Sequence, residues 1–240
     1  MTRLESCYFG SDGQWTRLAR VLASSAAQQC PSWAIHVQRV APPTQASRLG
    51  LPRDAANTLK LTVWARIVDQ AADGDRLLLI DADTMILRPL DAAWEEDFDL
   101  AYTVKAGARF PFNAGVTFVR VSAPVRAFLQ SWEAENLRML RDPSRHYPWR
   151  RIYGGINQAS LGCLLASAHG LKIAQLPCLE WNCEDASWGA FDPARTRIVH
   201  VKSLLRQTVF GSSPRPSELT PLAHLWRQLD ADIGQEGLAS

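Results

Sequence analysis

Apolar residues recur along the chain at two spacings, one typical of buried strands and the other of amphipathic helices. Short apolar runs predict strands over residues 5–9, 33–40, 76–80, 100–104, 116–121 and 198–201. Apolar residues repeating every three or four positions predict helices over residues 15–29, 54–71, 124–140 and 157–167, and a last helix with Pro221 in its first turn. Strands that alternate with helices in this way predict an α/β fold with a mostly parallel sheet.

The run from Arg76 to Ile80 is the best candidate for a central strand. It is short, continuously apolar after the arginine and bounded by turn signals, which is the pattern of a strand covered on both faces. Open α/β sheets bind ligands at the carboxyl ends of their strands. Because Asp81 follows this run directly, the pattern predicts a binding site that starts at that residue.

Composition sets bounds on size, compartment and partners. The chain has 240 residues, of which 47% are hydrophobic, and this favours one large domain over two. No apolar run approaches the roughly 18 residues that span a bilayer, and no signal pattern opens the chain, so the expected compartment is the cytoplasm. A formal net charge of +2 is too small to indicate a nucleic-acid or membrane partner by itself.

The cysteines do not predict a disulfide framework. There are five, an odd number at wide spacing in a chain of this size, and we expect reduced thiols. An alternative groups Cys163, His169, Cys178 and Cys183 into a zinc site, although their spacing matches no standard zinc pattern.

Two carboxylates, Asp81 and Asp83, are the strongest candidates for metal binding. The Asp-x-Asp triplet alone carries little weight, because this chain has four and about one is expected by chance. The other triplets begin in a turn, on a solvated face and on the last helix, at Asp73, Asp97 and Asp230. Asp81 and Asp83 instead follow a predicted buried strand. Their side chains point the same way in extended backbone, so both can reach one Mn²⁺ or Mg²⁺ ion.

Ordered blocks around these acids resemble glycosyltransferase family 8, which includes glycogenin and bacterial lipopolysaccharide sugar transferases. The likeness covers roughly residues 54–206, and the segment from Leu79 to Thr84 resembles the family's Leu-Asp-x-Asp. It implies a single GT-A (Rossmann-like) domain over residues 1–212, with a mixed, mostly parallel central sheet flanked by helices. Residues 213–240 are expected to form an amphipathic helix and tail packed on that domain.

Three further blocks match donor-binding segments of the family. Leu-Lys-Leu at 59–61 resembles its Thr-Lys-Leu, Phe-Asn-Ala-Gly-Val at 112–116 its Phe-Asn-Ser-Gly-Val, and residues 200–206 its His-Phe-x-Gly-x-x-Lys. The resemblance implies that His200 is the third protein ligand of the metal. It places the base and ribose at the turn after the first strand, with Tyr8 or Trp15 nearby. The implied donor-binding residues are Phe9, Gly10, Ser11, Asp12, Lys60, Asp81, Asn113, Ala114, Gly115, Lys202 and Arg206.

The candidate catalytic residues come from the same resemblance. Asn157-Gln158 stands where the family has Asp-Gln, whose acid lies close to the anomeric carbon. The family retains the anomeric configuration, but the change to Asn157 leaves inversion open. An inverting reaction needs a general base, for which Asp185 and Glu184 are the candidates.

A stretch that mixes arginines with aromatic residues is the candidate acceptor site. Its chemistry suits a polyanionic glycan, a phospholipid-linked acceptor or nucleic acid, and equally a solvated helix end and loop. Later in the chain, Trp181 and Asn182 resemble family residues that precede the acceptor side. Trp181 would either pack in the core or stack on the acceptor. The stretch comprises Arg138, Arg141, Arg145, His146, Tyr147, Trp149, Arg150, Arg151 and Tyr153.

The sequence thus predicts a metal-dependent glycosyltransferase. It would transfer a hexose from a nucleotide sugar, with UDP as the expected nucleotide, to a hydroxyl of a glycan or small molecule, using Mn²⁺ or Mg²⁺. One alternative acceptor is hydroxymethylated DNA. Two alternative functions are a noncatalytic nucleotide-sugar binding protein and a phosphatase of the haloacid dehalogenase type. The motif of these phosphatases usually lies at the start of the fold, and it has Thr or Val where this chain has Met85.

Overall fold

The computed structural model describes residues 1–10, 13–41, 52–105, 110–167, 170–185, 187–211 and 219–236. Its strands are β1 (Thr2–Phe9), β2 (Ala34–Val40), β3 (Arg76–Asp81), β4 (Thr84–Ile86), β5 (Leu100–Val104), β6 (Phe112–Arg120), β7 (Ile173–Pro177) and β8 (Ile198–His200). Its helices are α1 (Gly13–Gln29), α2 (Pro52–Gln70), α3 (Ala123–Arg141), α4 (Pro143–Tyr153), α5 (Ile156–Leu165), α6 (Cys178–Trp181), α7 (Ser203–Phe210) and α8 (Thr220–Glu236).

Six of these strands form one sheet in the order β2-β1-β3-β6-β5-β7. β1 pairs in parallel with β2 and β3, and β5 pairs in parallel with β7. β6 is antiparallel to both of its neighbours, β3 and β5. The prediction of an α/β fold with a mixed, mostly parallel sheet flanked by helices is therefore confirmed.

The strand β3 lies inside the sheet because its side chains are apolar on both faces. Leu77 and Leu79 pack into one buried cluster with Trp64 and Trp132, whereas Leu78 and Ile80 belong to a second cluster on the other face. All four aliphatic side chains are fully buried. Burying each of these side chains stabilises the fold by about 1.5–3 kcal/mol. Their burial therefore holds β3 in place within the sheet and sets the position at which it ends.

A small second sheet pairs β4 with β8 in antiparallel register, with Thr84 opposite His200. This pairing joins the segment just after β3 to a strand more than a hundred residues later. A third apolar cluster lies beside it and includes Trp226 of α8, which is fully buried. Arg17 of α1 pairs with Asp230 of α8. The helix α8 thus packs on α1, while a domain boundary at residue 212 stays a prediction.

The long elements and the short strands β5 and β8 lie within a few residues of their predicted positions. β4, β7, α6 and α7 were not predicted, because they span between three and eight residues, too few for a clear period. The helix predicted over residues 54–71 begins slightly earlier, at Pro52, so that Asp54 lies in its first turn. No helix in the described part of the chain is long and apolar enough to cross a membrane.

The helix α4 was missed for a different reason, since its sequence is polar and contains Pro148. The start of α4 is instead marked by polar capping residues, which a pattern of apolar positions does not reveal. Asp142 caps the helix by accepting hydrogen bonds from the backbone N–H groups of Ser144 and Arg145, and Pro143 occupies the first turn. An Asp-Pro-Ser sequence of this kind is a typical helix start.

Candidate active site

A cavity of about 1150 Å³ opens at the carboxyl ends of β1 and β3. Its floor is the segment Asp81–Asp83, and β6 contributes Asn113 to Gly115 from the side. Helix α2 forms one wall, and helices α4 and α5 form another. The site lies at the sheet edge where the sequence predicted it, next to the neighbouring strands β1 and β3.

Three potential metal ligands converge on the floor of this cavity. One ligand atom from each of Asp81, Asp83 and His200 lies within 4.8 Å of the others. His200 Nε2 is 3.7 Å from Asp81 Oδ2 and 3.2 Å from Asp83 Oδ1. Two carboxylates and an imidazole nitrogen form a donor set that Mn²⁺ accepts well.

Backbone contacts explain why these three residues meet. Asp81 is the last residue of β3, and its carbonyl accepts a hydrogen bond from Thr84 Oγ1 at 2.8 Å. The Asp83 carbonyl accepts one from the N–H of Val201 at 2.6 Å. The turn after β3 is thereby held against the end of β8, which brings His200 beside both acids.

Internal cations already contact both acids. Lys60 Nζ donates to Asp81, and Arg206 Nη2 donates to Asp83. Burial raises the pKa of Asp83, but His200 and Arg206 outweigh that effect and hold its pKa well below the ordinary value for an aspartate. Asp83 is therefore ionised over the physiological pH range.

A chain of hydrogen bonds fixes the orientation of the His200 ring. Thr103 Oγ1 donates to the Asn113 carbonyl at 2.8 Å and so accepts from Asn182 Nδ2 at 2.9 Å. The Asn182 Oδ1 atom then faces His200 Nδ1 at 3.1 Å and accepts a hydrogen bond from it. Nε2 therefore faces the two carboxylates, where the neutral form of the ring would offer its lone pair to a cation.

Gly115 keeps the space beside the ligands open. A Cβ atom at this position would lie 2.6 Å from Asp81 Oδ2, 2.8 Å from His200 Cε1 and 2.9 Å from Asn113 Oδ1. The Asn113 Oδ1 atom also accepts a 2.7 Å hydrogen bond from the Gly115 N–H. A cradle that a single methyl group would fill, next to two acids and an oriented imidazole, fits a divalent cation.

Glu184 is buried between two lysines of the cavity wall. Its side chain is 1% exposed, and Lys105 Nζ lies 2.6 Å from its Oε1 while Lys202 contacts its Oε2. Burial raises the pKa of Glu184, but the two lysines lower it by more, so the net pKa lies below its ordinary value. A buried carboxylate held in two ion pairs is a poor general base, which leaves Asp185 as the other candidate.

Asp185 is more accessible and lies next to a strained residue. Its Oδ2 accepts a hydrogen bond from Ser203 Oγ at 2.9 Å, and both residues line the cavity. Ser203 has a φ of 45°, in the left-handed region that favours glycine. A residue with a Cβ atom in this conformation costs about 1–2 kcal/mol, so Ser203 holds backbone strain beside the cavity.

The predicted catalytic pair Asn157-Gln158 starts α5 and lines the cavity. Asn157 Oδ1 accepts a 2.9 Å hydrogen bond from Asn136, whose own Oδ1 accepts from Thr58 at 2.6 Å. Gln158 Nε2 donates to the Phe112 carbonyl at 2.7 Å, which orients its amide. Asn157 therefore belongs to a buried amide network between α3 and α5.

The structure places the remaining predicted donor residues unevenly. Tyr8, Phe9 and Trp15 line the cavity, and Arg206 lies over the Trp15 ring at 4.6 Å. Gly10 has a φ of 119° and follows β1 without lining the cavity. Ser11 and Asp12 lie outside the described residues. The following residues that were predicted to contact the donor do line the floor and walls of the cavity: Lys60, Asn113, Ala114, Gly115, Lys202 and Arg206.

The arginine-rich stretch divides into two groups. Arg138 and Arg145 both pair with Glu135, which is 2% exposed, and the Arg145 pair ties α4 to α3 outside the cavity. Arg150 and Arg151 instead line the cavity together with Tyr147. Trp149 stacks on Tyr153 at 6.0 Å, His146 is buried, and Arg141 is exposed at the end of α3.

The alternatives raised by the sequence find little support. The other Asp-x-Asp triplets pair with surface cations outside the cavity: Asp73 with Arg126, Asp97 with Lys172 and Asp230 with Arg17. All five cysteines are free thiols. Among the described residues the only metal-capable group is that on the cavity floor, and His169 of the suggested zinc site lies outside them.

Trp181 packs edge-on against Phe118 at 5.7 Å, which is a core role.

No family model matches the chain, and no curated protein matches it by sequence. Solved structures do match. One is a glycosyltransferase involved in the glycosylation of the major capsid of PBCV-1, with a TM-score of 0.61 and 13% identity over 84% of this chain and 94% of that one. The fold is the GT-A fold. A second match is the galactosyltransferase LgtC in complex with donor and acceptor sugar analogues, with a TM-score of 0.55 and 14% identity over 97% of this chain and 96% of that one.

Sequence reasoning missed several residues that build the site. Lys105 follows β5 and pairs with Glu184, and Thr103 links Asn182 to the backbone of β6. Arg53 and Asn57 line the cavity from α2. One signal was available for the last two, because residues 53, 57 and 60 recur at helical spacing and so share the face of α2 that carries Lys60.

Proposed function

We propose that this protein is a metal-dependent glycosyltransferase that transfers a sugar from a nucleotide-sugar donor to a hydroxyl acceptor. The observation that carries the proposal is the convergence of Asp81, Asp83 and His200 within 4.8 Å on the floor of the cavity. The GT-A fold of the matched glycosyltransferases supports it. A phosphatase of the haloacid dehalogenase type has a different fold and is disfavoured.

Four cations beside the metal ligands suit a diphosphate. Lys60 and Arg206 contact the ligand carboxylates, and Lys105 and Lys202 contact Glu184 on the same cavity wall. When bound, a divalent cation would supply Lewis-acid stabilisation of the charge on the departing nucleoside diphosphate. The lysines and Arg206 would add charge-assisted hydrogen bonds to the same leaving group, and they are held in place before the donor arrives.

The nucleoside would lie over the end of β1. Tyr8, Phe9 and Trp15 form an aromatic wall there, next to the cation Arg206. An aromatic wall can stack a nucleobase without selecting it strongly. UDP as the nucleotide and a hexose as the sugar rest on the resemblance to glycosyltransferase family 8, and so does Mn²⁺ as the ion.

Retention of the anomeric configuration is the outcome we favour. Gln158, oriented by its hydrogen bond to Phe112, and Asn157 line the cavity, and the sequence resemblance matches this pair to the family's Asp-Gln. Glu184 is held by two lysines, so an inverting reaction would depend on Asp185 as its base. Asp185→Asn tests this, because an inverting enzyme would lose general-base catalysis of about 10²–10⁴-fold and a retaining one would lose far less.

A panel of nucleotide sugars tests the proposed function. The protein is incubated with each donor and Mn²⁺, and released nucleoside diphosphate is measured with and without a chelator. We expect slow release from one or a few donors, stopped by the chelator and restored by Mn²⁺. Binding of a nucleotide sugar without any release would identify a noncatalytic binding protein, and release of phosphate from sugar phosphates would identify a phosphatase.

A further inference from the structure

The mouth of the cavity carries positive charge that the donor does not use. Seven Lys and Arg side chains and four Asp and Glu side chains line the cavity, an excess of three positive charges among the described residues. A divalent cation and the diphosphate of a nucleotide sugar carry about equal and opposite charge, so binding both leaves this excess unchanged. This excess favours a second anionic ligand beside the donor.

The excess is located on three arginines. Lys60, Arg206, Lys105 and Lys202 are the cations that contact buried acids at the donor end. The other three are Arg53, Arg150 and Arg151. Arg150 and Arg151 form no ion pair with a described residue, and Arg53 lies 4.0 Å from Asp54 with 72% of its side chain exposed.

These arginines come from two different walls of the cavity, formed by α2 and α4. On α2, Arg53 shares a face with Lys60 and lies seven residues before it, which places the two backbones about 10 Å apart along the helix. On α4, Tyr147, Arg150 and Arg151 are spaced three and four residues apart and share the face that lines the cavity. The separation along α2 sets Arg53 about the length of a sugar ring or two away from Lys60 at the donor end.

The same wall offers a flat surface for a sugar. Tyr147 is 63% exposed, and the Arg151 guanidinium lies 5.8 Å from its ring centre. Guanidinium groups bind phosphate and carboxylate through paired N–H donors, and an exposed aromatic face packs against the apolar face of a sugar. The mouth therefore combines anion recognition with ring packing.

We propose that the acceptor is a sugar bearing a phosphate or carboxylate group, and that Arg53, Arg150 and Arg151 bind this group at the cavity mouth. The inference rests on the proposed glycosyltransferase function. The arrangement favours one anionic group over a nucleic acid, which needs a basic track along its backbone. Such a track does not continue from the mouth along α3 and α4, because Arg138 and Arg145 both contact Glu135, outside the cavity.

Paired acceptors test the inference with the full-length protein. With Mn²⁺ and a donor that the enzyme cleaves, release of nucleoside diphosphate is compared for mannose and mannose 6-phosphate, glucose and glucose 6-phosphate, and galactose and galacturonic acid. A single-stranded oligonucleotide is the last arm. We expect at least one charged member to stimulate release about tenfold more than its neutral partner, since a charge-assisted contact is worth about that factor. The phosphate and uronate arms distinguish the two sources of charge.

Matched arginine substitutions assign the effect to the cavity mouth. Arg150→Gln and Arg151→Gln should each raise the KM for the charged acceptor about tenfold. Arg141→Gln removes the same charge from an exposed position at the end of α3, outside the cavity, and should leave that KM unchanged. Circular dichroism melting curves establish that each variant is folded.

The outcomes separate this inference from the function on which it rests. Failure to cleave any donor would remove the glycosyltransferase proposal and the inference with it. Donor cleavage that the charged sugars stimulate no more than the neutral ones would overturn the inference alone, as would stimulation by the oligonucleotide only. An equal rise in KM for Arg141→Gln would also overturn it, because a general charge effect would then explain the result.

Discussion

Two Asp-x-Asp triplets of this chain have the same spacing and opposite surroundings. Asp81-Ala-Asp83 ends the central strand β3, and only 6% of Asp83 is exposed. Asp97-Phe-Asp99 precedes β5, and the Asp97 side chain is 82% exposed and lies 2.6 Å from Nζ of Lys172, which is also exposed. The first triplet is surrounded by three cationic or metal-binding side chains, whereas the second has one surface ion pair. Burial is what converts the same pattern into a site, because buried carboxylates need compensating charge.

The largest expected effect comes from exchanging one carboxylate in each triplet for an amide. Asp83→Asn removes a metal ligand and should reduce Mn²⁺-dependent release of nucleoside diphosphate by about 10³-fold or more. Asp97→Asn makes the same chemical change outside the cavity and should retain nearly full activity. Comparable loss in the two variants, measured at saturating Mn²⁺, would contradict the assignment of the site.

The next effect tests the space beside the buried triplet. Gly115→Ala places a methyl group within 2.6 Å of Asp81 Oδ2 and should lower activity about 10²-fold by displacing the ligands. Gly189→Ala is the matched control, because an added Cβ there meets nothing within 4 Å. The readouts are the rate and the Mn²⁺ concentration for half-maximal activity. Unchanged Mn²⁺ dependence in Gly115→Ala would show that the cradle does not hold the ion.

A smaller effect is expected from the residue that orients the histidine. Asn182→Ala removes the acceptor for His200 Nδ1 and should raise the Kd for Mn²⁺ about 10–100-fold, measured by electron paramagnetic resonance titration. Asn182→Asp keeps an acceptor oxygen and should recover part of the affinity. Equal weakening in both variants would mean that Asn182 supports the fold and not the ring orientation.

The smallest effect concerns the exposed triplet and pH. A hydrogen bond and charge from Lys172 hold the pKa of Asp97 below its ordinary value. A lowered folded-state pKa stabilises the protein above the ordinary aspartate pKa, and this is lost as the pH falls through the lowered value. The Tm of Asp97→Asn should therefore lie slightly below that of the wild type at pH 7, and the two should converge as the pH falls below the lowered pKa of Asp97. Added salt should reduce this difference in Tm at pH 7. A difference in Tm that depends on neither pH nor salt would show that the ion pair between Asp97 and Lys172 is not its cause.

The sequence predicted the site best where pattern and burial coincide. Four consecutive aliphatics place β3 inside the sheet, so Asp81 had to stand at a sheet edge. The resemblance to a known family supplied His200, which is far away along the chain. The turn residues Ser11 and Asp12 stay predictions, as do the roles of Asn157, Gln158 and Asp185.

The contacts of the arginine-rich stretch could not be predicted from sequence. Arg145 and Arg150 both follow Asp142 on a polar segment, yet one pairs with buried Glu135 and the other lines the cavity. Their difference comes from the helical phase of α4 and from its packing on α3. Neither is encoded in a pattern of apolar residues, because α4 buries few of its side chains.

The sequence by itself determined the α/β class, the central strand and the position of Asp81 and Asp83, since local apolar patterns fix strands and their ends. Only the tertiary structure decided which distant residues serve those acids. The pairing of β4 with β8 places His200 opposite Thr84, and α2 and α7 bring Lys60 and Arg206 to the carboxylates. The reason is physical: charge compensation in a buried site depends on distance in space, which separation along the chain does not specify.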